Sequence, residues 1–209
     1  MEHQTDYPWL ETGKQLLAIA KAGLEYSDNK YDLDRYQQIK EICLDFIQQF
    51  TKVPMKELTD IFLSGKGYPT PKVDVRGVVF RGDKILMVHE TIDGKWSIPG
   101  GWADIGLSPF EVARKEVFEE AGLEVRPVKL LAVLDKKNHK HPPDLFHIYK
   151  IFILCEETGG TLKGGTETSE TGFFGLYELP VLSEPRITKE QIQLLYEYKA
   201  DPLKEAVCD

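Results

Sequence analysis

The chain has 209 residues, 42% of them hydrophobic and 29% charged, a globular composition with room for one large domain or a medium one with an appendage. A net charge of −8 argues against nucleic acid and anionic membrane as partners. It leaves a phosphate substrate open, because a bound divalent cation inverts the local field.

The three cysteines, Cys43, Cys155 and Cys208, are far apart and form no CxxC pair. That pattern suits a reducing compartment and argues against a disulfide or zinc framework. The first residues lack a basic segment followed by an apolar run, and no stretch approaches membrane-span length, so the expected location is the cytoplasm.

Residues 7 to about 66 read as helical. "GKQLLAIAKAGLEYS" places Leu16, Leu17, Ile19, Ala20 and Leu24 at helical spacing. "DLDRYQQIKEICLDFIQQF" carries a stripe of Tyr36, Ile39, Ile42, Cys43, Phe46, Ile47 and Phe50. A third, shorter helix is expected from Met55 to Phe62, with Pro54 at its first position and Gly65 and Gly67 marking its end. A helical segment of this size struggles to bury its apolar stripes alone. It is therefore expected as a separate domain, residues 1–66, that packs on the main domain or, preferably, forms a homodimer. Its eight basic and eleven acidic residues make no nucleic-acid arm.

"GKGYPTPK" supplies a linker at 67–72, and the remaining chain, 73–209, alternates strands and helices. "VDVRGVVF" and "KILMVHE" read as strands about an "RGD" turn, "WSIPGG" follows a "DGK" turn, and "VKLLAVLDKK" and "LFHIYKIFILCEE" are two further strands. "TGGTLKGGTETSET" reads as a loop, "FFGLYEL" as a strand end and "TKEQIQLLYEYKA" as a closing helix. Strands on both sides of a central helix imply an α/β fold with a mixed sheet.

The central helix carries the chemistry. Ser108 caps it, Pro109 suits its first position, Glu111 completes a capping box, and Gly122 suits a left-handed C-terminal stop. Within its last turns Glu116 neighbours both Glu119 and Glu120. Like charges at this spacing cost a few tenths of a kcal/mol per pair, and the helix dipole disfavours anions at that end. A divalent cation reverses the sign of all of these terms. A solvated acidic face with Arg114 and Lys115 as neighbours is the competing reading of the three glutamates alone.

The surrounding stretch, "PGGWADIGLSPFEVARKEVFEEAGL", resembles the Nudix box: a glycine, five residues, a glutamate, seven residues, then Arg-Glu-apolar-x-Glu-Glu-x-Gly-apolar. Gly101, Glu116, Val117, Glu119, Glu120, Gly122 and Leu123 match. "WSIPGG" and "GFFGLYELP" also resemble family features, and the likeness covers about residues 72 to 200. It implies a Nudix α/β/α sandwich preceded by a small all-helical N-terminal domain.

Two positions depart from the pattern. Leu107 stands where the family has glutamate, and Lys115 where it has arginine. Those two commonly form a supporting ion pair, and their joint change implies a brace that is no longer ionic, with Leu107 packed under the loop. Asp104, in the same turn, is a candidate substitute carboxylate.

The resemblance further implies that Glu116 and Glu120 hold Mg²⁺ or Mn²⁺, with Glu119 in support and the Gly101 carbonyl as a further ligand. Carboxylate oxygens suit those hard cations. The implied reaction is metal-assisted attack of water on a diphosphate, which splits a nucleoside diphosphate linked to another moiety into a nucleoside monophosphate and a phosphorylated product. Glu167 and Glu170, in a loop read as mobile, are candidate bases by the same resemblance. Arg76 is a candidate phosphate ligand. His139 and His141, in the locally basic "KKNHKHPPDLFHIYK", are candidates for substrate contact. Trp96 is expected in the core rather than as a base-stacking platform.

With its helical N-terminal segment the chain looks like a bacterial Nudix subgroup acting on CDP-choline, ranked first, or ADP-ribose, ranked second. RNA trimming is a further family activity, to which the acidic surface adds nothing. A non-catalytic nucleotide-sensing module is the reading from a different class. The retained glutamates and the lack of a basic recognition helix argue against it.

Overall fold

A computed structural model describes residues 8–63 and 68–209. The chain divides into two compact units, one of Met1–Pro71 with Pro143–His147, the other of Lys72–Pro142 with Ile148–Asp209.

Among its described residues the first unit contains three helices, α1 (Pro8–Tyr26), α2 (Lys30–Thr51) and α3 (Met55–Leu63). Asn29 caps α2 by accepting the Tyr31 N–H, as a short polar side chain does at a helix start. Pro54 lies just outside α3, where its carbonyl accepts the Leu58 N–H, rather than at the first helical position. The expected glycine stop at Gly65 and Gly67 lies outside the described residues. Of the remaining linker, Tyr68–Pro71 carry no regular structure, and Lys72 already opens a strand.

Leu10, Leu17, Cys43, Leu44, Ile47 and Leu58 form the core of this unit, with Leu145 packed against it. The Lys14 ammonium donates to the Asp144 and Phe146 carbonyls at 3.1 and 3.3 Å. The end of the histidine-rich stretch thus belongs to the helical unit, far from it in sequence. Of the stripe expected to be buried, Ile42 and Phe50 stay 68% and 58% exposed.

The second unit is a mixed sheet of eight strands: β1 (Lys72–Arg81), β2 (Lys84–Glu90), β3 (Trp96–Ser97), β4 (Gly100–Trp102), β5 (Leu123–Asp135), β6 (Ile148–Gly160), β7 (Thr168–Gly175) and β8 (Val207–Cys208). Its order is β3-β2-β1-β6-β5-β8, with β4 added to β1 and β7 to β2. β1 and β6 run parallel, as do β5 and β8, and the other pairs are antiparallel.

Helix α4 (Pro109–Ala121) packs Val112, Ala113 and Val117 on one face of the sheet, against Val75, Val79, Leu86 and Val88. Helix α5 (Lys189–Ala200) packs Ile192 and Leu195 on the opposite face, against Val78, Ile85, Met87 and Phe152. This is the α/β/α sandwich that the family resemblance implied, and both faces of β1 are covered although Asp74 and Arg76 interrupt its apolar run. Trp96 packs edge-on against Phe174 at a centroid distance of 4.8 Å and borders the α5-side core, as its sequence context implied.

Candidate active site

Helix α4 is fixed at both ends by its own sequence. The Ser108 hydroxyl accepts the Glu111 N–H, the Glu111 carboxylate accepts the Ser108 N–H at 2.8 Å, and Gly122 stops the helix with φ of 70°. Its C-terminal turn is then tied to the segment before β7. The Thr168 hydroxyl donates to the Glu120 carbonyl at 2.6 Å, and the Lys163 N–H to the Ala121 carbonyl at 3.1 Å. A side chain at Gly165 is excluded, because a Cβ there meets the Glu119 carbonyl oxygen at 2.1 Å.

Strand β4 brings the double glycine against the glutamates. Gly100 has φ of 150°, and a Cβ there collides with the Val75 carbonyl at 2.1 Å, so only glycine fits. Its N–H donates to Glu120 Oε2 at 2.9 Å. The Cβ position of Gly101 lies 3.2 Å from Glu116 Oε2. Gly101, Glu116 and Glu120 are thereby brought together.

Glu120 is only 7% exposed. Burial pushes its carboxyl up to about 8, against the opposing pull of Arg76 and the Gly100 N–H. Burial also raises Glu116, against the opposing effect of Lys115. Glu119 lies outward, half-exposed, in an ion pair with Lys115 at 3.0 Å.

Arg76 stands on the far side of Glu120. It is buried, donates to Ser97 Oγ at 3.2 Å and to the Ile98 carbonyl at 3.1 Å, and its Nε lies 2.9 Å from Asp74 in a charge contact rather than an aligned hydrogen bond. Lys150, fully buried beside it on β6, pairs with the other oxygen of Asp74. Burial pushes the Lys150 ammonium down to about 8 although Asp74 pulls the other way. The charges of Arg76 and Lys150 overcome burial at Asp74 and hold its carboxyl below the usual carboxylate range.

Sequence reasoning missed Glu90, Asp74 and Lys150. Glu90, at the end of β2, is buried, pairs with Arg186 at 3.0 Å, and lies close enough to Arg76, Glu120 and Glu167 to feel their charges. A carboxylate at the end of a strand whose centre, Ile85–Val88, is apolar is the signal that could have found it.

The brace differs from the sequence expectation. Lys115 bridges Asp104 at 3.3 Å, Glu116 at 3.1 Å and Glu119 at 3.0 Å, so the brace is ionic. Asp104 takes the role vacated at Leu107. Leu107 does not pack under the loop. It is 37% exposed and lines an open groove with Arg114 and Phe118. Its N–H donates to the Asp104 carbonyl at 3.2 Å, which turns the chain so that the Asp104 carboxylate reaches Lys115.

The other candidates are dispersed. The Glu167 carbonyl is held by the Thr91 N–H and hydroxyl at 3.0 and 2.8 Å. Glu170 lies within β7 opposite His89, whose ring packs on Trp96. These two flank an anchored strand start and are not in a free loop. His139 pairs with Asp209 at 2.6 Å, and His141 Nδ1 lies 2.6 Å from the Glu184 carbonyl with its Nε2 buried and without a partner. Among the described residues neither histidine forms a hydrogen bond or ion pair with Glu116, Glu119 or Glu120.

A carboxylate pair against a glycine-rich backbone suits a hard divalent cation that completes its shell with carbonyl, water and substrate oxygens. Among the described residues no three His, Cys, Asp or Glu side chains form a ready-made cage. The profile of the NUDIX domain matches residues 70–197. The chain belongs to the Nudix family. It is a Nudix hydrolase, and its box residues are those on α4 and β4 described above.

A second profile, described as a UDP-X-like N-terminal oligomerisation domain, matches residues 7–62. A protein of Bacillus subtilis strain 168 named "Putative ADP-ribose pyrophosphatase YjhB" is 43% identical over 201 residues, 96% of this chain and 97% of the relative. Among solved structures, an ADP-ribose pyrophosphatase from Streptococcus suis 89-1591 is 44% identical, covering 67% of this chain and all of that one, with a TM-score of 0.61. A UDP-X diphosphatase is 28% identical, covering 99% of this chain and all of that one, with a TM-score of 0.63.

Proposed function

We propose that this Nudix hydrolase splits the pyrophosphate bond of a nucleoside diphosphate linked to a second moiety, releasing a nucleoside monophosphate and a phosphorylated remainder. The observation that carries the reading is Glu120: a buried carboxylate held by the Gly100 N–H, facing Arg76, with Glu116 beside Gly101. Glu116, Glu120 and the Gly101 carbonyl would hold Mg²⁺ or Mn²⁺, with Glu119 at the outer edge. When bound, the cation neutralises the diphosphate and lowers the pKa of water for attack on phosphorus.

Arg76 orients Glu120 from behind. Its burial under Asp74, Ser97 and Ile98 favours this role over direct phosphate contact. Glu167 is favoured over Glu170 as the group that takes a proton from water, because its charge reaches Glu90 and its segment is fastened to α4 through Thr168. Neither histidine is favoured for substrate contact, since His139 pairs with Asp209 and the unpartnered ring nitrogen of His141 is buried from solvent.

The substrate order changes. The names of relatives at 43% and 44% identity support ADP-ribose ahead of CDP-choline, with a uridine diphosphate conjugate next. Release of monophosphate from ADP-ribose, CDP-choline and UDP-glucose, with Mg²⁺ and with Mn²⁺, separates these readings. ADP-ribose is expected to give the highest kcat/KM. Equal inactivity of wild type and Glu120→Gln on all three would remove the proposal.

We infer also that the helical unit joins two copies into a homodimer, through apolar side chains such as Ile42 and Phe50 that its own core leaves exposed.

A further inference from the structure

Arg76 answers to three carboxylates. Its Nε lies 2.9 Å from Asp74, and the charges of Glu120 and Glu90 also reach it. Glu120 is the one that the proposed chemistry needs. The other two compete with it for a single guanidinium, and burial makes the competition strong because little water screens it. Each competitor has a cation of its own. Lys150, opposite Asp74 in the parallel β1–β6 register, donates to the second oxygen of Asp74. Arg186, just before α5, holds Glu90 at 3.0 Å.

Arg186 is itself fixed in place. Its Nη1 donates to Ser183 Oγ at 3.1 Å and lies 3.6 Å from Asp93, whose carboxylate accepts the Ser183 hydroxyl at 2.7 Å. Its backbone N–H donates to the Ser183 carbonyl at 2.8 Å, and the Ser183 N–H donates to the Trp96 carbonyl at 2.8 Å. The turn that carries Arg186 is therefore docked on β3. The next two residues, Ser97 and Ile98, accept from Nη1 of Arg76 at 3.2 and 3.1 Å. Both arginines thus hang from residues 96–98, and the buried Glu90 feels the charge of each.

We propose that Lys150 and Arg186 are positioning residues for the hydrolytic centre: each occupies a carboxylate that would otherwise draw Arg76 away from Glu120. This deepens the hydrolase reading and rests on Glu120 as its centre. Among the described residues neither cation forms a hydrogen bond or ion pair with Glu116 or Glu120, so both act through Arg76. Without Arg186, Glu90 keeps Arg76 as its cation, and without Lys150 so does Asp74. Stranding one buried charge costs more than removing both partners. Glu120 is then left to the Gly100 N–H, and the outer partners of metal-holding carboxylates commonly carry about tenfold or more of metal affinity.

Binding of Mn²⁺ alone, followed by electron paramagnetic resonance of the free ion, tests the inference apart from turnover. Full-length wild type, Arg186→Gln, Arg186→Lys, the double variant Arg186→Gln with Glu90→Gln, and Lys150→Met are titrated. Arg186→Gln is expected to weaken Mn²⁺ about tenfold. Arg186→Lys, which keeps the charge without the planar fork, is expected to weaken it about threefold. The double variant removes the competitor with its cation and is expected to return to within about threefold of wild type. Lys150→Met is expected to follow Arg186→Gln. Should the loss of that buried charge unfold the chain, Arg186→Gln, at a side chain 27% exposed, carries the test. With ADP-ribose at saturating Mn²⁺, Arg186→Gln is expected to lower kcat about tenfold with KM within about twofold. Loss of a positive charge by itself tightens a divalent cation, so Mn²⁺ bound as tightly or more tightly by Arg186→Gln would overturn the assignment. So would a raised KM with kcat unchanged, the mark of an arginine that grips substrate. A wild type and variants that bind Mn²⁺ in the expected order and hydrolyse none of ADP-ribose, CDP-choline and UDP-glucose would overturn the hydrolase reading and leave the positioning role standing.

Discussion

At the residue scale the site is a balance of buried charges. Lys115 touches three carboxylates at once, and Asp104 is the one from the turn. The pair is partly exposed, and such pairs contribute about 0.2–1 kcal/mol. Asp104→Asn is therefore expected to lower kcat/KM by about two- to fivefold. Leu107→Ala should leave kcat/KM unchanged, and a large loss there would mean that the leucine, not the aspartate, shapes the turn. From the sequence, Asp104 was recognisable as a candidate. The continued ionic brace was not, because pairing depends on how the turn folds back.

His141 offers a pH signature. Burial pushes its imidazole down to about 4 from a usual 6.5, so the fold prefers the neutral ring. Between those two values the unfolded chain binds more protons, and this contribution to stability is lost as pH falls from 6.5 towards 4. The raised glutamates act in the opposite sense, so the difference between variants isolates the histidine. His141→Gln is expected to make urea stability fall less steeply than wild type over that window. An unchanged slope would show that the ring is solvated.

At the element scale, α4 is the part most fully specified by local sequence. Cap, proline, capping box and terminal glycine all act within a few residues, and the helix runs Pro109–Ala121 as those signals require. Ser108→Ala is expected to cost about 1 kcal/mol in urea unfolding. A change below a few tenths would show that tertiary packing alone fixes the helix start. The strands were less legible. β5 begins directly at Leu123, and β8 pairs two residues near the C-terminus with β5, long-range partners that no local pattern announces. The acidic loop was read as free because it is rich in glycine and threonine. Its anchors, Thr168 to Glu120 and Thr91 to Glu167, join elements far apart in sequence.

At the scale of the whole molecule, the chain carries a helical unit and a Nudix unit, and no helix among the described residues is long and apolar enough to cross a membrane. The proposed homodimer predicts a sedimentation-equilibrium mass of twice the monomer mass for wild type and a shift towards monomer for the Ile42→Asp, Phe50→Asp double variant. A deletion of the helices is a poorer test, since Leu145 packs in their core and is left uncovered without them. Wild type that sediments as a monomer would contradict the dimer.

The central claim is that Glu120, clamped between Gly100 and Arg76, and its neighbour Glu116 form the hydrolytic centre. It is tested most directly by release of adenosine monophosphate from ADP-ribose in the presence of Mg²⁺ by wild type and Glu120→Gln. The glutamine keeps the shape and an oxygen for the Gly100 N–H, so the fold is retained. The account predicts wild-type turnover that falls by at least about a hundredfold in the variant, the scale of losing one preorganised catalytic group. Turnover by Glu120→Gln equal to wild type would contradict it.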